Sequence, residues 1–216
     1  MPLELQSRDR EVLDALTNRV RVLSFDQLTR AWWGSGEGAA ASARRRLGKL
    51  EAEGLLERYP VMAHEPPGFD EVLVRWRPGD GEPDLRRLAN RLRRRWPSAP
   101  RSSSAIVATK RAAHRFGGHG GRKPRPSEIS HDLALGELYL RLRADAPERA
   151  SRWRSEASLA ASGWGGRGQV LPDALIEPDG GGGAGTVVEF CGSYPLEKLE
   201  RFHEYCFLGS HPYELW

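Results

Sequence analysis

The sequence has 216 residues, 39% of them apolar and 29% charged, with a formal net charge of +4. That composition fits one large folded domain or two small ones; no apolar run is long enough for a membrane span and no basic-then-apolar leader opens the chain, so an intracellular, cytoplasmic protein with no membrane partner is expected. Residues 1–130 hold 25 Lys+Arg against 16 Asp+Glu, a net of +9, while residues 131–216 hold 8 against 13, a net of −5; this asymmetry points to a nucleic acid contacted mainly by the first part of the chain.

Ser7 is placed to cap a first helix, followed by residues 8–17 with Val12, Leu13 and Leu16 on the inner face. Ser24 caps a second helix, anchored by Phe25, Leu28 and Trp32, with Asp26 and Gln27 in its first turn. A glycine-rich loop over residues 34–38 leads to a third helix over residues 39–53. Leu47 and Leu50 face inward there, Arg44, Arg45, Arg46 and Lys49 project on the other sides, and Gly54 is a C-cap. Residues 55–59 read as a strand, Pro66-Pro67-Gly68 as a turn, and residues 71–76 as the returning strand.

Three helices followed by a two-stranded hairpin is the order of a winged helix-turn-helix. The run A-R-R-R-L-G-K-L-E-A-E-G-L-L-E-R, residues 43–58, resembles the recognition helix and first wing strand of that family. The resemblance implies a third helix in the major groove of double-stranded DNA and a wing on the neighbouring backbone. Arg44, Arg45, Arg46 and Lys49 are then the expected contacts. Successive helix residues are about 100° apart, so one or two would reach base edges and the others phosphate. The bland alternatives are a solvated helix face and a winged helix used for protein interaction.

Residues 84–96 form a second basic helix, with Leu85, Leu88 and Leu92 on one face and Arg86, Arg87, Arg91, Arg93, Arg94 and Arg95 over the rest. It reads as a connector packed on the wing domain, a dimerisation helix or an added phosphate-binding arm in which Arg94 touches DNA. The Pro- and Ser-rich residues 97–104 read as a linker and residues 105–109 as a short strand. Residues 110–126 read as a mobile basic loop, with Arg122 and Lys123 as further DNA contacts, and His114 and His119 solvated.

Ser127 and Glu128 open a helix reaching Arg143, with Ile129, Leu133, Leu135, Leu138, Tyr139 and Leu142 on its apolar face and His131, Asp132 and Glu137 as its polar residues of interest. Residues 150–159 read as a strand carrying Glu156. The stretch Gln169–Tyr194 then reads as two strands joined by the glycines at 180–183 and 185, with Asp173 in the first strand and Glu189 in the second. Paired as a hairpin, those carboxylates form an oxygen-rich site for a divalent cation such as magnesium. Pro195 starts a helix bearing Lys198, and residues 212–216 form a last strand. Cys191 and Cys206 lack disulfide or zinc spacing and read as reduced, partly buried thiols.

Pro172-Asp173, a turn, then Glu189-Phe190-Cys191 resembles the core of the PD-(D/E)XK nuclease-like superfamily. The resemblance implies metal binding by the Asp and the Glu, with a Lys two residues after the Glu helping to activate water. Here that position is Cys191, and Lys198, alone of its type in this half, is the candidate replacement. The helix before the hairpin often adds an acidic ligand in that superfamily, and Glu137 matches by position. With His131-Asp132-Leu133-Ala134, Trp153-Arg154-Ser155-Glu156 and the Pro172-Asp173 hairpin behind a winged helix, the chain is similar to bacterial replication-relaxation-like proteins of plasmids and mobile elements.

The expected fold class is α/β or α+β: a winged helix-turn-helix over residues 1–82, a basic helix, linker and loop over 83–126, and a small nuclease-like domain with a mixed sheet over 127–216. The expected function is DNA binding in replication, mobilisation or transcription control, with a nuclease-like domain that does not hydrolyse. The alternative is an active magnesium-dependent endonuclease using Asp173, Glu189 and Lys198. A homodimer is a candidate form, and a protein-interaction module without nucleic acid is the weakest reading.

Overall fold

The computed structural model describes residues 3–166 and 170–216, so Gln169, the first residue of the expected hairpin stretch, lies outside the described residues. Among these residues there are nine α-helices, and eight strands form two sheets. The elements run α1 (Ser7–Asp14), β1 (Leu23–Ser24), α2 (Phe25–Trp32), α3 (Ala39–Ala52), β2 (Leu56–Ala63), β3 (Val74–Trp76), α4 (Leu85–Leu92), β4 (Arg101–Ala108) and α5 (Lys110–Phe116). They continue as α6 (Ile129–Asp145), α7 (Pro147–Ser151), β5 (Trp153–Ser155), α8 (Glu156–Ala161), β6 (Ala174–Ile176), β7 (Thr186–Glu189), α9 (Leu196–Leu208) and β8 (Tyr213–Leu215).

The chain divides into two compact units, each made of two separate stretches. Residues 1–66 and 100–140 form the first, and residues 67–99 and 141–216 the second. The boundaries expected at 82/83 and 126/127 therefore differ from the divisions of the structure. The basic and acidic parts expected from the sequence do not coincide with the units: the first holds 17 Lys+Arg and 13 Asp+Glu, a net of +4, and the second holds 16 of each and is neutral.

In the first unit, local sequence sets the helix starts. Ser24 Oγ accepts from the Gln27 N–H at 3.1 Å and Gln27 Oε1 accepts from the Ser24 N–H at 2.8 Å, a reciprocal cap that stabilises α2 by about 1 kcal/mol. The cap of α1 is Gln6 rather than Ser7, its N–H donating to Asp9 at 2.7 Å. A π-helical turn over Ala15–Arg19 extends α1. Val12, Leu13, Leu16, Leu28, Leu47 and Leu50 are buried as the helical spacing predicts, and burying such a side chain stabilises by roughly 1.5–3 kcal/mol. Gly54 adopts φ +66°, the left-handed conformation that ends α3.

The sheet of this unit has the order β1-β4-β2, antiparallel throughout. The returning strand expected at residues 71–76 is not the partner of β2. That partner is β4, paired in register from Leu56↔Ala108 to Ala63↔Arg101, and β3 pairs with β8 in the other sheet. Residues 101–104 are therefore strand and not linker. Their serines are tolerated because the ladder satisfies the backbone whatever the side chain. The expected mobile loop at 110–126 begins instead with α5, because Thr109 Oγ1 accepts from the Ala112 N–H at 3.1 Å and donates to the Gly54 carbonyl at 2.7 Å. Gly136 lets α6 approach β1: a Cβ there would fall 2.8 Å from Leu23 Cδ2 and 2.9 Å from the Val22 carbonyl oxygen.

In the second unit the sheet order is β3-β8-β7-β6-β5. The strands β5, β6 and β7 form an antiparallel meander, and α9 carries the chain over to β8, which lies parallel to β7. Only residues 153–155 of the strand expected at 150–159 are extended; Ser155 caps α8, which takes residues 156–161. Leu85, Leu88, Ala89 and Leu92 of α4 are buried in one core with Leu199, Phe202 and Cys206 of α9. The helix expected to be a connector on the wing domain is thus part of this unit. Its apolar stripe is consumed in the core and is unavailable for dimerisation. Glu214 of β8 is buried and accepts ion pairs from Arg75 and Arg149, each at 3.1 Å, tying β3 and α7 to the sheet.

Candidate functional site

The α3 helix separates its four cations into two groups. Ala43, Leu47 and Leu50 are buried, so residues 41, 44, 45, 48, 49 and 52 make the outer face. Arg44, Arg45 and Lys49 are exposed on it, among the small residues Ala41, Gly48 and Ala52. Arg44 also lies over the Phe25 ring at 5.4 Å. Arg46, expected to contact DNA, turns inward. Its Nε donates to Asp9 Oδ1 at 2.9 Å, it forms an ion pair with the fully buried Asp9 carboxylate, and its other end donates to the Glu4 carbonyl at 2.8 Å. The hydrogen bond to Asp9 raises the Arg46 pKa against the opposing effect of burial. Arg46 therefore belongs to the framework of the first unit.

Of the other expected contacts, Arg122 is paired with Glu128 at 3.0 Å, and Lys123 is exposed. Arg94 is exposed just past the end of α4, in the second unit. Asp132 is buried and held by Arg21 at 2.5 Å. Burial alone would push its pKa up, but hydrogen bonds and charge from His131 and Arg21 bring it below the ordinary value.

The β6–β7 hairpin does bring Asp173 and Glu189 together. The Asp173 N–H donates to Glu189 Oε2 at 3.2 Å, and the Phe190 N–H donates to Asp173 Oδ2 at 2.8 Å. Tyr194, unremarked in the sequence, donates its hydroxyl to Glu189 Oε1 at 2.9 Å. Burial raises the Tyr194 pKa, so the hydroxyl stays a donor. Lys198 Nζ lies 3.3 Å over the Tyr194 ring, one turn into α9. Cys191 is fully buried; burial first, then the charges of Glu189 and Asp173, push its thiol well above the ordinary value, while Arg95 and Lys198 act the other way. It is a neutral thiol at physiological pH.

Arg95 is a second residue that sequence spacing did not single out. Its guanidinium lies over the rings of Phe190 at 5.0 Å and Phe69 at 5.9 Å, and its buried Nε has no hydrogen-bond partner among the described residues. Burial lowers its pKa. Glu137, the expected third carboxylate, belongs to the first unit, where Arg30 holds it at 2.6 Å and Gln27 at 3.0 Å. Its carboxylate is engaged within that unit. Among the described residues no group of three or more His, Cys, Asp or Glu side chains forms a metal cluster. The pair by itself offers the hard oxygen donors that magnesium takes, which is held in many sites by one or two carboxylates completed by water and phosphate.

Comparison with known proteins finds no matching family model, curated protein or solved structure. Among the described residues no helix is long and apolar enough to cross a membrane.

Proposed function

We propose that the protein binds double-stranded DNA through its first unit, and that its second unit is a nuclease-like scaffold without hydrolysis, acting in replication, mobilisation or transcription control of a plasmid or mobile element. The observation that carries this reading is the outer face of α3, where Arg44, Arg45 and Lys49 stand exposed among alanines and a glycine. Small residues let a helix approach the floor of a groove while the cations neutralise phosphate and release counterions. Within the first unit the elements α1-β1-α2-α3-β2 are followed by β4, after β3 and α4 of the second unit have intervened, and this set, with β4 between β1 and β2, accords with a winged helix whose wing strands are β2 and β4. A homodimer on a palindromic site goes with such a reading.

The meander β5-β6-β7, the crossing helix α9 and the parallel β8 accord with the nuclease-like core that the Pro172-Asp173 and Glu189 motifs resemble. The buried neutral thiol of Cys191 argues against hydrolysis, because it cannot balance charge developing on a phosphoryl group as a cation would. One observation favours the second reading, an active endonuclease. Lys198 lies over the ring of Tyr194, whose hydroxyl binds Glu189, and Arg95 lies over the ring of Phe190, so positive charge is present on both sides of the motif position held by Cys191. In that case Asp173 and Glu189 would hold magnesium, which would supply Lewis acidity, while Tyr194 fixes the Glu189 carboxylate.

Supercoiled plasmid incubated with magnesium, manganese or chelator, beside an Asp173→Ala control, separates the two. The proposal predicts a mobility shift with no nicking under any metal condition. Metal-dependent nicking that disappears in Asp173→Ala would establish the endonuclease, and absence of any mobility shift would overturn DNA binding itself.

A further inference from the structure

A cavity of about 530 Å³ opens between α4 and the segment leading into α9. That volume is within the range of ligand sites. Arg86, Asn90 and Arg93 line one side, and Ser193, Tyr194 and Glu197 the other. Arg86 and Asn90 of α4 and Arg93, its C-cap in helical conformation, share a face at spacings of four and three. The burial of Leu85, Leu88, Ala89 and Leu92 fixes that face outward. Neither Arg86 nor Arg93 makes an ion pair among the described residues, so two guanidiniums, an amide and two hydroxyl residues border one concavity with Glu197 as its single carboxylate.

We propose that this cavity seats successive phosphates of a nucleic-acid strand beside the Asp173–Glu189 pair. Arg86 and Arg93 are two helical turns apart, about 10 Å along the axis, a spacing that lets the two guanidiniums engage neighbouring phosphates of one strand. Guanidinium presents its donors in a fork that fits phosphate oxygens. Tyr194 connects the two places: its side chain lines the cavity and its hydroxyl binds Glu189. A strand held there passes one side chain from the carboxylates. Glu197 opposes any anion in the cavity, which makes its charge a direct reporter of occupancy. The inference rests on the nucleic-acid reading of the protein but not on α3.

The test measures affinity for a fluorescent single-stranded oligonucleotide against salt concentration. The proteins compared are the unaltered chain, Arg86→Ala/Arg93→Ala, Arg45→Ala/Lys49→Ala, the quadruple variant and Glu197→Gln. Two lost phosphate contacts should make the slope of log affinity against log salt shallower by about 1.4 on a single strand. That change is expected with Arg86→Ala/Arg93→Ala in both the natural and the Arg45→Ala/Lys49→Ala background, and Glu197→Gln should tighten binding. An unchanged slope in both backgrounds overturns the proposal, whatever Arg45→Ala/Lys49→Ala does; loss in the latter variant alone would support α3 and sink the cavity. Mononucleotide or inorganic phosphate that needs Arg86 and Arg93, with no change in the oligonucleotide slope, would reassign the cavity to a free phosphate compound and overturn the strand. Should the alanines lower the melting temperature, Arg86→Gln/Arg93→Gln keeps the bulk and removes the charge.

Discussion

The α3 and α4 segments are both rich in arginine, and each turns one arginine inward while exposing the rest. In α3 the inward residue is Arg46, which meets the buried carboxylate of Asp9. Beyond α4 it is Arg95, which meets the faces of Phe190 and Phe69 and leaves its Nε without a hydrogen-bond partner among the described residues. The difference teaches that an arginine cluster is a mixture of framework and function, sorted by what lies opposite each side chain. A carboxylate fixes an arginine through charge, so removing the arginine strands that charge. Aromatic faces hold it mainly through its planar body, so an apolar side chain of similar length can take its place.

Breaking the first arrangement should have the largest effect. Arg46→Met leaves Asp9 buried and unpaired, and should destabilise the first unit by about 3 kcal/mol in denaturant unfolding, at the lower end for a broken buried pair because the guanidinium keeps some contact with solvent. The Arg21–Asp132 pair extends the same logic to pH. The Asp132 pKa is lowered in the folded chain from an ordinary 3.8, so its stabilising contribution is complete above that value and is lost as pH falls through the folded pKa. Acid unfolding of Asp132→Asn should lack that part of the pH dependence, and an unaltered acid profile would contradict the pairing. The smallest effect is expected from Arg95→Met, within about 1 kcal/mol, because no carboxylate is stranded. A loss as large as that of Arg46→Met would erase the contrast between the two arginines.

Local features were legible in the sequence. The Ser24 cap, the α3 span, the Gly54 stop and the apposition of Asp173 and Glu189 each depend on residues close along the chain or joined by one hairpin. Pairings set by distant partners were not. The strand that pairs β2 arrives after an excursion over residues 64–100, so the nearer residues 71–76 took its place in the expectation. Arg46 could not be told from Arg45 because Asp9 is 37 residues away. The α5 helix was hidden by the glycines and histidines that follow its cap, and Tyr194 carries no motif that marks it as a donor to Glu189.

The central claim is that the outer face of α3 binds duplex DNA, and the most direct measurement is the salt dependence of duplex affinity for Arg45→Ala/Lys49→Ala beside the unaltered chain. Both side chains are exposed, so the unfolding midpoint should not move, while the slope of log affinity against log salt should become shallower by about 1.8 as two phosphate contacts are lost. An unchanged slope and affinity in a fully folded variant would contradict the assignment of α3 as the DNA-binding helix.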